Sequence, residues 1–194
     1  MRDTGWSSPR RNLSRFRRTV RKTTPSGRAK LLPMRVLLLR HAEAVDMRSA
    51  PTDHDRWLTD AGRQTMAQVG AALAGLGLQY SCIYTSPLVR AVQTAEILAS
   101  THPGFHGPLE VQSALSSEVG STAQALESLE HASDDDLLVM VTHMPKVGVL
   151  ASHLCQLATF PSFRTSAACL LRVEGGKGHF QWMLDPQTLE LKSP

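Results

Sequence analysis

Four consecutive aliphatic residues, Val36-Leu37-Leu38-Leu39, run directly into Arg40-His41 with no polar spacer. A stretch that is apolar at every position suits a strand buried on both faces, as in a parallel sheet covered by helices. Ligands of such sheets sit beyond the carboxyl ends of the strands, which is where Arg40 and His41 fall. The run Leu137-Leu138-Val139-Met140-Val141 repeats the design and delivers Thr142-His143, followed by Met144-Pro145. A third copy, Ile83-Tyr84-Thr85, leads into Ser86-Pro87-Leu88-Val89-Arg90, where Ser86 reads as a helix N-cap and Pro87 as the first helical residue. Arg90 then lies in the first turn, where a cation opposes the helix dipole unless an anion sits between it and the exposed N–H groups. Two arginines, two histidines and one helix N-terminus thus point to one spot. Guanidinium forks match the oxygens of a tetrahedral phosphate, and an imidazole can attack its phosphorus.

Leu39-Arg40-His41-Ala42-Glu43, Ser86-Pro87-Leu88-Val89-Arg90-Ala91-Val92-Gln93-Thr94-Ala95 and Val141-Thr142-His143 resemble, in order, the three signatures of the histidine phosphatase superfamily, whose fold is that of phosphoglycerate mutase. The resemblance runs from about Met34 to the end. Trp57-Leu58-Thr59-Asp60-Ala61-Gly62, Phe163-Arg164-Thr165-Ser166-Ala167 and Phe180-Gln181-Trp182 are most similar to the SixA-type protein-histidine phosphatases. One position departs: the family has glycine after the first histidine, and this chain has Ala42. The fold implied is an α/β three-layer sandwich, with a mostly parallel central sheet, helices on both faces and an antiparallel edge hairpin.

A length of 194 residues fits one such domain. The net charge of +4 misleads, because residues 1–33 hold 10 of the 21 Lys and Arg and only one acid, Asp3; residues 34–194 keep 11 basic and 16 acidic residues, a net charge of −5. The folded part therefore offers no basic groove for nucleic acid. Residues 1–33, rich in arginine, serine and proline, cannot assemble a core, and the expectation is a disordered basic extension before a phosphatase domain spanning 34–194. An upstream start ahead of Met34, a transit peptide and an electrostatic tether all fit that composition. Cys82, Cys155 and Cys169 are widely spaced among apolar residues, which reads as free buried thiols in the reducing cytoplasm. No apolar run reaches the ~20 residues that span a bilayer.

Along the chain, Val45 to Arg56 is a polar loop expected over the mouth of the site. Thr59 caps a helix in which Met66, Val69, Leu73 and Leu76 recur at helical steps, and Gly75 and Gly77 end it. The Arg90 helix stops at Thr101-His102-Pro103-Gly104, and His102 and His106 read as loop residues. An amphipathic helix carries Ala125, Leu126 and Leu129; Asp134-Asp135-Asp136 reads as a solvated turn; another helix starts at Pro145. Ala167–Val173 and His179–Leu184, joined through Gly175-Gly176-Lys177-Gly178, form the hairpin.

The resemblance implies in-line phosphoryl transfer to a neutral His41, with Arg40 and Arg90 holding the phosphoryl oxygens, His143 donating a hydrogen bond, and no metal or other cofactor. It also implies a phosphate-holding arginine just before a Leu-Thr pair. Arg56, one residue removed from that place, fits this role or a solvated loop charge. The leaving group then separates the substrates. An alkoxide leaves poorly and wants a general acid, for which Glu118 or Glu43 would serve, whereas imidazole, with a pKa of ~6.5, leaves readily. Only 53 positions separate Arg90 from His143, too few for a large covering lid. An open site favours a phosphatase acting on phosphohistidine of a signalling or phosphotransfer protein, and a monomer is the expected state. A phosphatase of small phosphate esters, and a phosphohistidine-binding protein with little catalysis, are the other readings.

Overall fold

Period-two alternation along the first strand sets the layers. In β1 (Met34–Arg40), Val36 and Leu38 face one side and Leu37 and Leu39 the other, and all four are buried. The computed structural model describes residues 34–133 and 136–194, so the 1–33 extension and Asp134-Asp135 lie outside the described residues. On one face, Leu37, Leu39, Val139, Val141 and Ile83 pack against Met66, Val69 and Leu73 of α1 (Asp60–Gly75) and Ala91, Ala95 and Leu98 of α2 (Val89–Thr101). On the other, Val36, Leu38, Met140 and Cys169 meet Ala125 of α3 (Thr122–Leu126) and Val147, Leu150 and Leu154 of α4 (Lys146–Cys155). The result is the three-layer α/β sandwich expected from sequence.

The remaining strands are β2 (Cys82–Thr85), β3 (Leu109–Val111), β4 (Leu137–Thr142), β5 (Ala168–Glu174), β6 (Lys177–Leu184) and β7 (Leu191–Lys192). They form one sheet in the order β3-β2-β4-β1-β5-β6-β7. The pairs from β3 to β1 are parallel and those from β1 to β7 antiparallel. The β5–β6 hairpin is real, but it turns through Gly175-Gly176 alone, both at positive φ, and the short β7 covers its outer side. β7 escapes pattern reading because two residues carry no periodicity. The helix carrying Ala125 and Leu126 is shorter than its pattern suggests, and Leu129 sits in a 3-10 turn, Glu127–His131.

One sequence reading needs correction. Helix α2 begins at Val89, not at Pro87; Leu88 stands at its N-cap with no side-chain cap bond, while the Ser86 hydroxyl meets the Leu88 N–H at 3.4 Å and His143 Nε2 at 2.7 Å. His102 does fall outside α2, as its C-cap, and its ring is packed inward: it is buried, lies 4.7 Å from that of Tyr80, and bonds the Leu78 carbonyl through Nε2. The three cysteines are free and buried.

Thr59 does cap α1, accepting from the Gly62 N–H at 2.9 Å. A Cβ on Gly62 would stand 2.2 Å from the Glu43 carbonyl oxygen, itself the acceptor of the Thr59 N–H. Backbone cannot step aside as a side chain can, so Gly62→Ala is expected to lower unfolding stability by about 1–3 kcal/mol, measurable as a lower denaturant midpoint.

Candidate active site

Strand register brings the two histidines together. Arg40 pairs with Thr142 across the parallel β1–β4 ladder, so the next residues, His41 and His143, emerge side by side at the carboxyl ends. Their rings lie 4.9 Å apart. On the other flank of β4, the Ser86 N–H donates to the Val141 carbonyl at 3.0 Å, which sets the β2–α2 junction beside His143. The site is thus the crevice at the ends of three adjacent parallel strands, β2, β4 and β1.

His41 Nδ1 lies 2.7 Å from the Ala42 carbonyl oxygen. A carbonyl only accepts, so Nδ1 carries the proton and the Nε2 lone pair is left for attack. The Ala42 N–H donates to Thr94 Oγ1 at 3.0 Å, and that hydroxyl donates to the Arg90 carbonyl at 2.6 Å. Thr94 therefore ties the residue after the nucleophile candidate to the first turn of α2. Ala42 in the family's glycine position is fully buried within this arrangement.

His143 Nε2 lies 2.7 Å from Ser86 Oγ, and the Leu88 N–H donates to that same oxygen at 3.4 Å. The Ser86 hydroxyl can accept from Leu88 and donate to Nε2 together, and with the hydroxyl donating the ring proton of His143 sits on Nδ1. Among the described residues, His143 Nδ1, Arg40 Nε and Arg90 Nε are buried without a hydrogen-bond partner. Three buried donors lacking acceptors are costly unless an anion satisfies them.

The arginines are held by groups that leave those donors over. Arg40 donates through Nη1 to the Phe163 carbonyl at 2.8 Å. Arg90, 4% exposed, donates to the Asp53 carbonyl at 2.6 Å and to the Asp53 carboxylate at 2.8 Å. Arg56 donates through Nε to the Val45 carbonyl at 2.7 Å and pairs with the other Asp53 oxygen at 2.9 Å. The polar loop does lie over the site, and Asp53 is the group that fastens it there. Spacing gives a weak hint in retrospect, since Asp53 precedes Arg56 by three residues, but Asp55 lies in the same polar stretch and pairs instead with Thr52 and His54.

Burial pulls the His41 imidazole down to about 4; its bond to Ala42 opposes this, and Arg90, Arg40 and Arg56 push further down. Burial likewise draws His143 to about 3, with His41 and Arg90 adding and Asp53 opposing. Burial raises the Asp53 carboxyl, but Arg56 and Arg90 outweigh it and hold the group below its ordinary value. Both histidines are therefore neutral at pH 7. Their contribution to stability is complete above the ordinary value of 6.5 and is lost as pH falls through about 4 for His41 and about 3 for His143, because the unfolded chain takes up protons that the folded one refuses. The urea midpoint is expected to drop over that window, with a smaller drop in His41→Asn, and an NMR titration should find His41 neutral down to about pH 4.

Glu43 and Glu118 are placed differently. Glu43 is exposed, accepts from the Thr59 hydroxyl at 3.2 Å, and lines a groove beside Arg40. Glu118 is exposed on the loop before α3, its N–H donating to Ser116 Oγ at 3.3 Å. His41 feels the charges of Arg90, Arg40 and Arg56, and His143 those of His41, Arg90, Asp53 and Arg40; neither of these two carboxylates is among them. Lys146, unremarked in the sequence, donates to the carbonyls of Ala114, Val119 and Gly120 at 2.8 Å each and pins the Glu118 loop beside His143. Among the described residues, no group of three or more His, Cys, Asp or Glu side chains is placed to hold a metal ion. No helix among them is long and apolar enough to cross a membrane.

Residues 36–118 match the model of the histidine phosphatase superfamily, branch 1. The chain is 30% identical to the phosphohistidine phosphatase SixA of Escherichia coli K12 over 161 residues, covering 81% of this chain and 98% of that one. It belongs to the histidine phosphatase superfamily. The chain is also 34% identical to an uncharacterized protein of Picosynechococcus sp. over 161 residues, covering 83% of this chain and 97% of that one. The solved structure of the protein histidine phosphatase SixA complexed with tungstate superposes with a TM-score of 0.71 and 29% identity over 81% of this chain and all of that one. Membership of this superfamily and the likeness to SixA support phosphatase activity.

Proposed function

We propose that this phosphatase removes the phosphoryl group from phosphohistidine on a signalling or phosphotransfer protein, by way of a phosphohistidine formed on His41. One observation carries the reading: His41 Nε2 faces away from its carbonyl partner, unprotonated, among Arg40, Arg56, Arg90 and His143. The Nε2 lone pair attacks phosphorus in line, the substrate P–N bond breaks, and its electron pair goes to the departing imidazole, which keeps or gains a proton. Water then attacks the phosphorus of phospho-His41, releasing inorganic phosphate and restoring the neutral ring. Arg40 Nε, Arg90 Nε and His143 Nδ1–H supply charge-assisted hydrogen bonds to the phosphoryl oxygens as negative charge builds up. Arg56 acts beside Arg90 through their common partner, Asp53.

An easily displaced imidazole needs little protonation, which suits a site whose two sequence-nominated acids, Glu43 and Glu118, are exposed side chains. The named activity of SixA and its binding of tungstate, a tetrahedral oxyanion, support the same reading. Phosphate release is to be measured on a phosphohistidyl phosphotransfer domain and on a sugar phosphate, with Glu118→Gln alongside the unaltered protein. Turnover of the phosphohistidyl domain, unaffected by Glu118→Gln, is expected. Preference for the ester, with loss of that activity in Glu118→Gln, would establish an ester phosphatase instead.

A further inference from the structure

A cavity of about 430 Å³ opens beside Arg40, lined chiefly by Glu43, Thr65, Arg164, Thr165, Ser166 and Gln187. A second, of about 210 Å³, shares Arg164 and Pro186 with it and continues to Asp185 and Lys192 at the sheet edge. Together they make a trough that begins at an arginine of the candidate active site and ends on β7. Its upper part is walled by hydroxyls, an amide and charges, so it suits a hydrogen-bonding ligand and not an apolar one.

The trough is tied to the chemistry by Ser166. This residue is 1% exposed and held at a φ of 65°, a left-handed conformation that a non-glycine residue adopts at a cost. Its N–H donates to the carbonyls of both Arg40 and His41, at 3.2 Å each, while its hydroxyl, on the trough wall, is buried without a partner among the described residues. The same loop supplies the Phe163 carbonyl that holds the Arg40 guanidinium. Along the trough, Lys192 is matched by Asp185 at 2.8 Å, whereas the side chain bonded to Arg164 is the neutral amide of Gln187. Arg164 shares the field of the Asp185 carboxylate with Lys192, so the lining of the trough carries three cations, Arg40, Arg164 and Lys192, against the two carboxylates of Glu43 and Asp185, an excess of one positive charge.

We infer that this trough seats the polypeptide segment next to the phosphohistidine of the protein substrate, with an acidic side chain of that segment meeting Arg164 and a polar group satisfying the Ser166 hydroxyl. The inference rests on the phosphohistidine reading and adds to it where the protein part of the substrate lies. A small phosphorylated molecule would end within the first cavity; a trough that runs on to the sheet edge has length for a chain.

The test compares kcat/KM for a phosphohistidyl phosphotransfer domain with kcat/KM for phosphoramidate, which has the P–N bond and nothing else, in the unaltered protein and in Arg164→Glu and Arg164→Ala. The ratio of domain to phosphoramidate is expected to fall about tenfold in Arg164→Glu, chiefly through KM, with a smaller fall in Arg164→Ala and a weaker salt dependence in both. An unchanged ratio, with the unaltered protein turning over the domain, overturns the trough assignment alone. Equal losses on both substrates overturn it too, because Arg164 would then act on the phosphoryl site or the fold. If the unaltered protein hydrolyses phosphoramidate but not the domain, the phosphohistidine-protein reading itself fails, and the trough's occupant with it.

Discussion

His41→Ala is expected to lower phosphate release about 10⁴-fold or more and to abolish a covalent phosphoryl-enzyme, since removal of a nucleophile costs far more than removal of a group that only steadies charge. Binding should survive. Arg40, Arg90 and His143 reach their positions through contacts that do not pass through the His41 ring, namely Phe163, Asp53 and Ser86. The variant should therefore still take up tungstate or phosphate, detectable by calorimetry, while a labelled substrate leaves no acid-labile, base-stable phosphate on it. Loss of turnover with oxyanion binding retained separates an enzyme from a protein that merely recognises phosphohistidine. Turnover in His41→Ala comparable to that of the unaltered protein would remove His41 from the mechanism.

Asp53→Ala is expected to cut kcat/KM about 100-fold, because the variant loses the carboxylate that fixes two guanidinium groups at once, and misplacement of a positioning group by about 1 Å has costs of that order. Arg90 would keep the Asp53 backbone carbonyl as its acceptor but lose the charged partner of a side chain 5% exposed. Removing one member of a buried pair costs about 3–5 kcal/mol; with the carboxylate 28% exposed, about 2–3 kcal/mol of unfolding stability should go. Asp53→Asn, which keeps the shape and one acceptor oxygen, should restore most of the stability and less of the rate. If both variants leave kcat/KM within twofold of the unaltered protein, Asp53 is only a loop fastener.

Much of this architecture is legible in the residues. A strand buried on both faces shows itself as an unbroken aliphatic run, and three such runs ending in Arg40-His41, Thr85-Ser86 and Thr142-His143 announce one crevice. The Thr59 cap and the helical spacing of Met66, Val69 and Leu73 are equally local, and the structure agrees with them. Ser86 shows the limit. As part of a Ser-Pro helix start it reads as a cap, yet its hydroxyl lies 2.7 Å from His143, which follows it by 57 positions. Nothing near Ser86 in the chain indicates that competing partner. Asp53 and Lys146 are hidden for the same reason: one acts across 37 residues on Arg90 and the other across 26 to 32 on the Glu118 loop.

What the chain determines by itself is the set of elements and the reactive side chains at their ends, because burial and helix capping depend on neighbours within a few residues. What only the tertiary structure decides is the pairing among those side chains. The β1–β4 register makes His41 and His143 adjacent, Asp53 holds two arginines in one grip, and Ser166 is bent into place by the carbonyls of Arg40 and His41. Hydrogen bonds and ion pairs reach only about 3 Å, so they belong to whichever groups the packed sheet brings that close.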